Sequence, residues 1–201
     1  MKLYETQGVP NCRRVTIYLD EKGLTVPRVP VDLMSGEQFK PEFKRMNPAG
    51  KVPVLELDDG SFLAESLAIV EYLEELNPEP PMIGATPEAR ARVRALERQI
   101  ELGIFMMAGI TFQNTAPFFA ERFHQSRDTV VYAGKIHAAS CRQFDRIIGD
   151  KPFVAGDAPT IADCTLAAAI EFGFRSDLKP EPELANLARW WAAFQERPSM
   201  R

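Results

Sequence analysis

The side chains able to do chemistry in this 201-residue chain fall into a few short segments. Glu65-Ser66 sets an acid beside a hydroxyl at the start of an apolar-periodic run, Leu67, Ile69, Val70, Leu73 and Leu76. A helix that begins there offers free main-chain N–H groups and the positive end of its dipole to an anionic ligand. Ser66 is also a natural cap for that helix. Val52-Pro53 lies where a strand is expected, yet proline removes a ladder donor and is confined to strand starts, edges or bulges. Cys12 stands at the entrance of another helical segment, where a thiol's pKa is lowered; a small buried apolar role is the competing reading. Thr160-Ile161-Ala162-Asp163 has the spacing of a capping box, so Asp163 reads as scaffold and not as a catalytic acid. Cys12, Cys141 and Cys164 are widely spaced and accompanied only by His124 and His137, so neither a metal site nor a disulfide framework is expected.

The elements that must carry these residues follow from the spacing of apolar positions. Lys2-Leu3-Tyr4 is a brief strand, and Val15, Ile17, Tyr18 and Leu19 belong to a helix that stops at Lys22-Gly23. Val26 to Val31 reads as a second strand. Pro41 to Met46 holds one or two helical turns, ended by Asn47-Pro48-Ala49-Gly50. Val52 to Leu57 and Ser61 to Ala64, joined by Asp58-Asp59-Gly60, read as a hairpin. With the Ser66 helix the order is β-α-β-α-β-β-α. The proline-rich segment from Asn77 to Thr86 is the expected linker. Beyond it the pattern is helical: Pro87 opens a long run with Val93, Leu96, Ile100, Ile104 and Met107, followed by helices over Thr129 to Ile148, Thr160 to Phe174 and Leu184 to Gln195. The expected domains are residues 1–77 and 87–201.

Composition narrows the functional classes. Apolar residues make up 45% and charged residues 26%, which is ordinary globular material with enough apolar side chains for a core. No apolar run approaches the roughly 20 residues of a membrane span, and the N-terminal residues lack a signal peptide's apolar stretch, so a cytoplasmic protein without a membrane partner is expected. Lys and Arg number 24 against 28 Asp and Glu, and a net charge of -4 is the wrong sign for a nucleic-acid partner.

The β-α-β-α-β-β-α order, Lys51-Val52-Pro53-Val54-Leu55, Glu65-Ser66 opening a helix, the proline-rich linker and the all-helical second half together resemble a cytosolic glutathione transferase of bacterial, theta- or nu-like type. The resemblance implies an α/β thioredoxin-like N-terminal domain plus an all-α C-terminal domain. It implies a cis Pro53 that turns the Val52 main chain toward the cysteinyl unit of glutathione. Glu65 then takes the ligand's ammonium group and Ser66 the γ-glutamyl carboxylate. Lys51 matches a basic position that contacts the glycyl carboxylate, and Gln38 a position often held by histidine in theta-like members.

The usual catalytic position departs from that pattern. Val9-Pro10-Asn11-Cys12-Arg13-Arg14 places Val9 where many members carry a hydroxyl or a reactive cysteine, and valine neither donates a hydrogen bond nor attacks. Asn11 resembles the asparagine of the nu-class Thr-Pro-Asn segment, whose amide donates to the glutathione sulfur. Cys12 falls where a glutaredoxin-type pair places its resolving cysteine. Tyr4 and Thr6 are alternative donors. One donor is enough in principle: the reference thiol pKa is near 8.5, and each unit of lowering is worth about 1.4 kcal/mol.

By resemblance the acceptor site lies between the halves, with Phe105, Met106, Phe112, Phe118 and Phe119 supplying apolar surface; core packing is the competing reading for these residues. Arg90, Arg94 and Arg98 form a stripe that is either a solvated face or part of a homodimer contact. The expected activity is transfer of glutathione, as co-substrate, to a small apolar electrophile in a detoxification role, with disulfide reductase or peroxidase side activity. A glutathione-dependent disulfide reductase and a non-catalytic glutathione-binding scaffold are the alternatives. No metal is expected.

Overall fold

The computed structural model describes residues 1–122 and 124–201. Four short strands form one mixed sheet: β1 (Lys2–Glu5), β2 (Arg28–Pro30), β3 (Val54–Glu56) and β4 (Phe62–Ala64). Their spatial order is β2-β1-β3-β4, with β1 parallel to β2 and antiparallel to β3, and β3 antiparallel to β4. The second strand is shorter than its apolar run because only three residues pair with β1. Between β1 and β2 runs α1 (Pro10–Lys22), which packs against α3 (Ser66–Leu76); α2 (Pro41–Met46) follows a single 3-10 turn at Glu37–Phe39. The β1-α1-β2 unit needs this helical crossover because parallel neighbours cannot be joined by a hairpin. Leu3, Val15, Ile17, Leu19, Leu55, Ile69 and Leu73 are almost completely buried and make this half's core.

A buried polar cluster fastens the end of this half. Glu74 on α3 accepts from Tyr18 Oη at 2.7 Å and from the Met82 main-chain N–H at 2.6 Å. Lys22 Nζ lies 3.0 Å from Glu74 and donates to Pro80 O at 2.6 Å. Two desolvated charges are tolerated here because each is paired and hydrogen-bonded. Both the Val52-Pro53 and Glu79-Pro80 peptide bonds are cis. The sequence raised the first through the resemblance and gave no sign of the second.

The chain divides into two compact units, Met1–Met82 and Ile83–Arg201. The second is helical: α4 (Pro87–Ile100), α5 (Met106–Thr115), α6 (Arg127–Ile148), α7 (Ile161–Arg175) and α8 (Ala185–Gln195). The long periodic run read as one helix is three pieces, because a π-helical turn at Glu101–Phe105 separates α4 from α5. Its tight contact with α6 requires glycine: a Cβ on Gly103 would sit 2.3 Å from Ser140 Oγ. Thr86 caps α4 by accepting from Ala89 N at 3.1 Å, and Ser126 caps α6.

The Thr160–Asp163 capping box at the start of α7 is present. Asp163, completely buried, also accepts from Val154 N at 2.8 Å and Trp190 Nε1 at 2.9 Å, which joins α7, α8 and the preceding loop. Burial pushes its carboxyl pKa up against the opposing effect of these donors. Among the described residues no helix is long and apolar enough to cross a membrane.

Candidate active site

The chain enters α1 through Gly8-Val9-Pro10. Proline at the first helical position suits a place with no N–H to satisfy, and Val9, at the N-cap, makes no side-chain cap bond. Val9 instead packs on a buried apolar cluster of Cys12, Val31, Phe43, Val52 and Val54. That cluster places the start of α1 beside the cis proline, since Val52 is one of its members. The ladder of β3 begins only at Val54, so Val52 and Pro53 precede the paired residues.

Cys12 is 1% exposed, and burial pushes its thiol up to about 12. The Thr6 main-chain donor near the sulfur pulls the other way but does not overcome desolvation. This environment suits a small buried apolar residue and holds no thiolate at neutral pH. The other two cysteines are also buried; Cys141 is likewise raised to about 12, and its sulfur lies 3.7 Å from His137 Nδ1.

The alternative donors are committed elsewhere. Tyr4 Oη donates to Glu56 Oε2 at 2.7 Å, and that bond to a carboxylate raises the phenol's pKa. Thr6 Oγ1 donates to Val31 O at 2.6 Å, which ties the β1–α1 connection to the chain after β2. Asn11 is different: it is exposed at the first turn of α1, and its Oδ1 accepts from Ser66 Oγ at 3.3 Å. Accepting through Oδ1 leaves the carboxamide NH2 group for a ligand.

Ser66 does not cap α3, contrary to the expectation from its position. The N-cap is Glu65, α3 has no side-chain cap bond, and Ser66 is the first helical residue. Its hydroxyl turns instead to α1. Arg14, 1% exposed, donates from Nη1 to Ser66 Oγ at 3.1 Å, and Ser66 Oγ in turn donates to Asn11 Oδ1. In the sequence Arg14 stands out only as part of the Val9–Arg14 segment. A cation on the same turn as Val15 and Ile17, inside a buried run, was the available signal.

Glu65 itself has φ 71° and ψ 115°, a conformation strongly disfavoured for a residue with a side chain. Such outliers cost about 1–3 kcal/mol and gather at functional sites. The kink joins β4 to α3 and leaves the Glu65 carboxylate exposed at the helix start.

The remaining positions lie on the segment that precedes β3. Gln38 is buried; its Nε2 donates to Leu33 O at 3.4 Å, and its Oε1 has no hydrogen-bond partner among the described residues. Lys51 is exposed, and its carbonyl accepts from Asn47 Nδ2 at 2.8 Å. Gly50 joins the two: its φ is +63°, and a Cβ there would sit 2.9 Å from Gln38 O. The structure thus brings Asn11 against Ser66, Val52 against Cys12, and Gln38 against Gly50.

In the helical unit Phe105, Phe112, Phe119 and Phe172 form edge-to-face and tilted ring contacts. Phe105 is buried there, whereas Met106 and Phe118 are 42% and 50% exposed. Arg122 lies 4.4 Å over the Phe118 ring. No group of three or more metal-ligating side chains is found among the described residues.

Comparison with known proteins agrees with this arrangement over the whole chain. Residues 3–81 match the glutathione S-transferase N-terminal domain and residues 106–198 the glutathione S-transferase C-terminal domain. Glutathione S-transferase 2 of Saccharomyces cerevisiae is 32% identical over 205 residues, covering 100% of this chain and 88% of that protein. A maleylacetoacetate isomerase of Pseudomonas aeruginosa is 32% identical, covering 98% of this chain and 94% of its own. Among solved structures, a glutathione S-transferase domain-containing protein of Marinobacter aquaeolei superposes with TM-score 0.92 at 34% identity and full coverage of both chains. The Saccharomyces cerevisiae protein Gtt2 follows with TM-score 0.91 at 32% identity, covering 100% and 98%. Two domain matches and relatives at this identity over this length place the chain in the glutathione S-transferase family.

Proposed function

We propose that the protein binds glutathione in its first unit and uses the ligand's thiolate as a nucleophile toward a small electrophilic carbon. The observation that carries this reading is the contact of Ser66 with Asn11, which joins the anion-favouring start of α3 to an exposed carboxamide at the entrance of α1. Glu65 takes the ammonium of the γ-glutamyl unit and the start of α3 at Ser66 its carboxylate. The Val52 main chain, held by cis Pro53, takes the cysteinyl unit, and Lys51 the glycyl carboxylate. Gln38, whose amide donor is turned to Leu33 O while its Oε1 has no partner among the described residues, is a further glutathione contact from the segment before β3.

The Asn11 carboxamide donates to the thiolate sulfur together with the main-chain N–H groups of the first turn of α1. A donor stabilises the charged form without itself ionising, which lowers the thiol pKa. The thiol proton leaves to solvent; the sulfur lone pair forms the new S–C bond, and the departing group leaves with the electron pair of the bond that breaks. The exposed Met106 and Phe118 support an apolar acceptor. A second reading, reversible addition of the same thiolate to a carbon–carbon double bond, is supported by the maleylacetoacetate isomerases among the relatives. A mechanism through a Cys12 thiolate has no support from its burial.

Calorimetry with glutathione, followed by assays of a chlorinated aromatic, maleylacetoacetate and a mixed hydroxyethyl disulfide, tests the proposal. Binding with turnover of the chlorinated aromatic is expected. Turnover of the disulfide alone would move the reading to a reductase, and binding without any turnover would move it to a scaffold.

A further inference from the structure

We propose that Arg14 is a positioning residue that sets the thiol donor through Ser66, so that α1 and α3 act on the bound sulfur as one unit. The inference rests on the reading of Asn11 as the thiol donor and adds to it a residue from the buried face of α1.

The argument is one of proton counting. Arginine has donors and no acceptor, a serine hydroxyl has one proton and two lone pairs, and a primary amide has one acceptor oxygen and one NH2 group. Arg14 Nη1 donates to Ser66 Oγ at 3.1 Å and so occupies one of its lone pairs. The single Ser66 proton then goes to Asn11 Oδ1, 3.3 Å away. An amide whose oxygen is engaged in this way presents its NH2 group as the remaining polar group, and that is the group a thiolate requires. The reverse amide orientation would place a carbonyl oxygen against the sulfur and oppose ionisation. A cation donating into the hydroxyl also polarises its O–H bond, so each link strengthens the next.

The arrangement divides the work at the start of α3. The Ser66 hydroxyl is held between Arg14 and Asn11, and α3 has no side-chain cap, so the main-chain N–H groups of its first turn remain for the ligand's carboxylate. Arg14 is 1% exposed, which keeps water from replacing its bond to Ser66. Ser66, also buried, is held in the same way.

The test is a mutant cycle read by the thiolate ultraviolet absorbance of glutathione, titrated against pH on saturated protein. Asn11→Ala, Ser66→Ala and Arg14→Met should each raise the thiol pKa by a similar amount, about 0.5–1 unit for one lost hydrogen bond. Adding Arg14→Met or Ser66→Ala to Asn11→Ala should raise it no further, because the relay acts only through that amide. If the Arg14→Met shift adds in full to that of Asn11→Ala, Arg14 acts as a distant charge; the relay is then wrong and Asn11 remains the donor. No shift in Ser66→Ala also overturns the relay. No shift in Asn11→Ala overturns both the relay and the donor assignment beneath it. Should Arg14→Met fail to fold, Arg14→Lys takes its place, with a smaller shift that must likewise vanish on the Asn11→Ala background.

Discussion

Glu65 carries two unusual properties at once, a positive φ and an exposed carboxylate at a helix start that has no hydrogen-bond or ion-pair partner among the described residues. In the proposed complex the ligand's ammonium group supplies that partner. Glu65→Gln keeps the shape and the backbone geometry and removes only the charge. It is expected to raise the dissociation constant for glutathione about 10- to 150-fold, the equivalent of about 1.5–3 kcal/mol for a charge-assisted bond. Calorimetry on the folded variant checks this, and an unchanged constant would remove Glu65 from the site. Cys12 illustrates the opposite case: helix entrance and residue type suggest a reactive thiol, but 1% exposure and a pKa near 12 make it part of the core under Val9 and Val52.

The helices of the second unit carry their polar groups in two distinct ways. Asp163 is fully satisfied: the Thr160 main-chain N–H and hydroxyl reach one oxygen, and Val154 N and Trp190 Nε1 the other. Asp163→Ala would strand several buried donors at once, so the loss should exceed that of a simple cap and reach at least about 3 kcal/mol. Denaturant unfolding measures it; a loss below about 1 kcal/mol would show that water or rearrangement replaces the carboxylate. His137 on α6 is 2% exposed, and burial lowers its pKa from 6.5 to about 4. The folded chain therefore keeps this imidazole neutral while the unfolded chain takes up a proton near 6.5. Stability should be intact above that pH, decline as pH falls toward 4, and lose in all about 3 kcal/mol from this group. His137→Gln should flatten that part of the stability profile, and an equal decline in the variant would assign the acid sensitivity to other groups.

Across the whole molecule, what the sequence made legible were the features whose cause is local. Apolar spacing located α1, α3, α6, α7 and α8 to within a few residues, and Thr160 with Asp163 announced the start of α7. The π turn at Glu101–Phe105 was not legible, because apolar periodicity runs through it and the close approach of Ser140 on α6 to Gly103 is a long-range contact. The same limit applied at the site. A sequence pattern singles out Glu65, Ser66 and Pro53 as candidates, yet Ser66, a natural cap by its position, bonds to α1 instead, and nothing local marks Arg14 as its partner. Both depend on side chains 52 and 55 residues apart meeting across the packing of α1 on α3, which no local spacing encodes.

The central claim, that this fold binds glutathione and ionises its thiol without a serine, tyrosine or cysteine side chain at the sulfur, is tested most directly by one titration. The difference absorbance of the thiolate is followed against pH for glutathione bound to the wild-type protein. The account predicts a thiol pKa at least about one unit below the reference value near 8.5. A bound thiol that titrates at the reference value would contradict it.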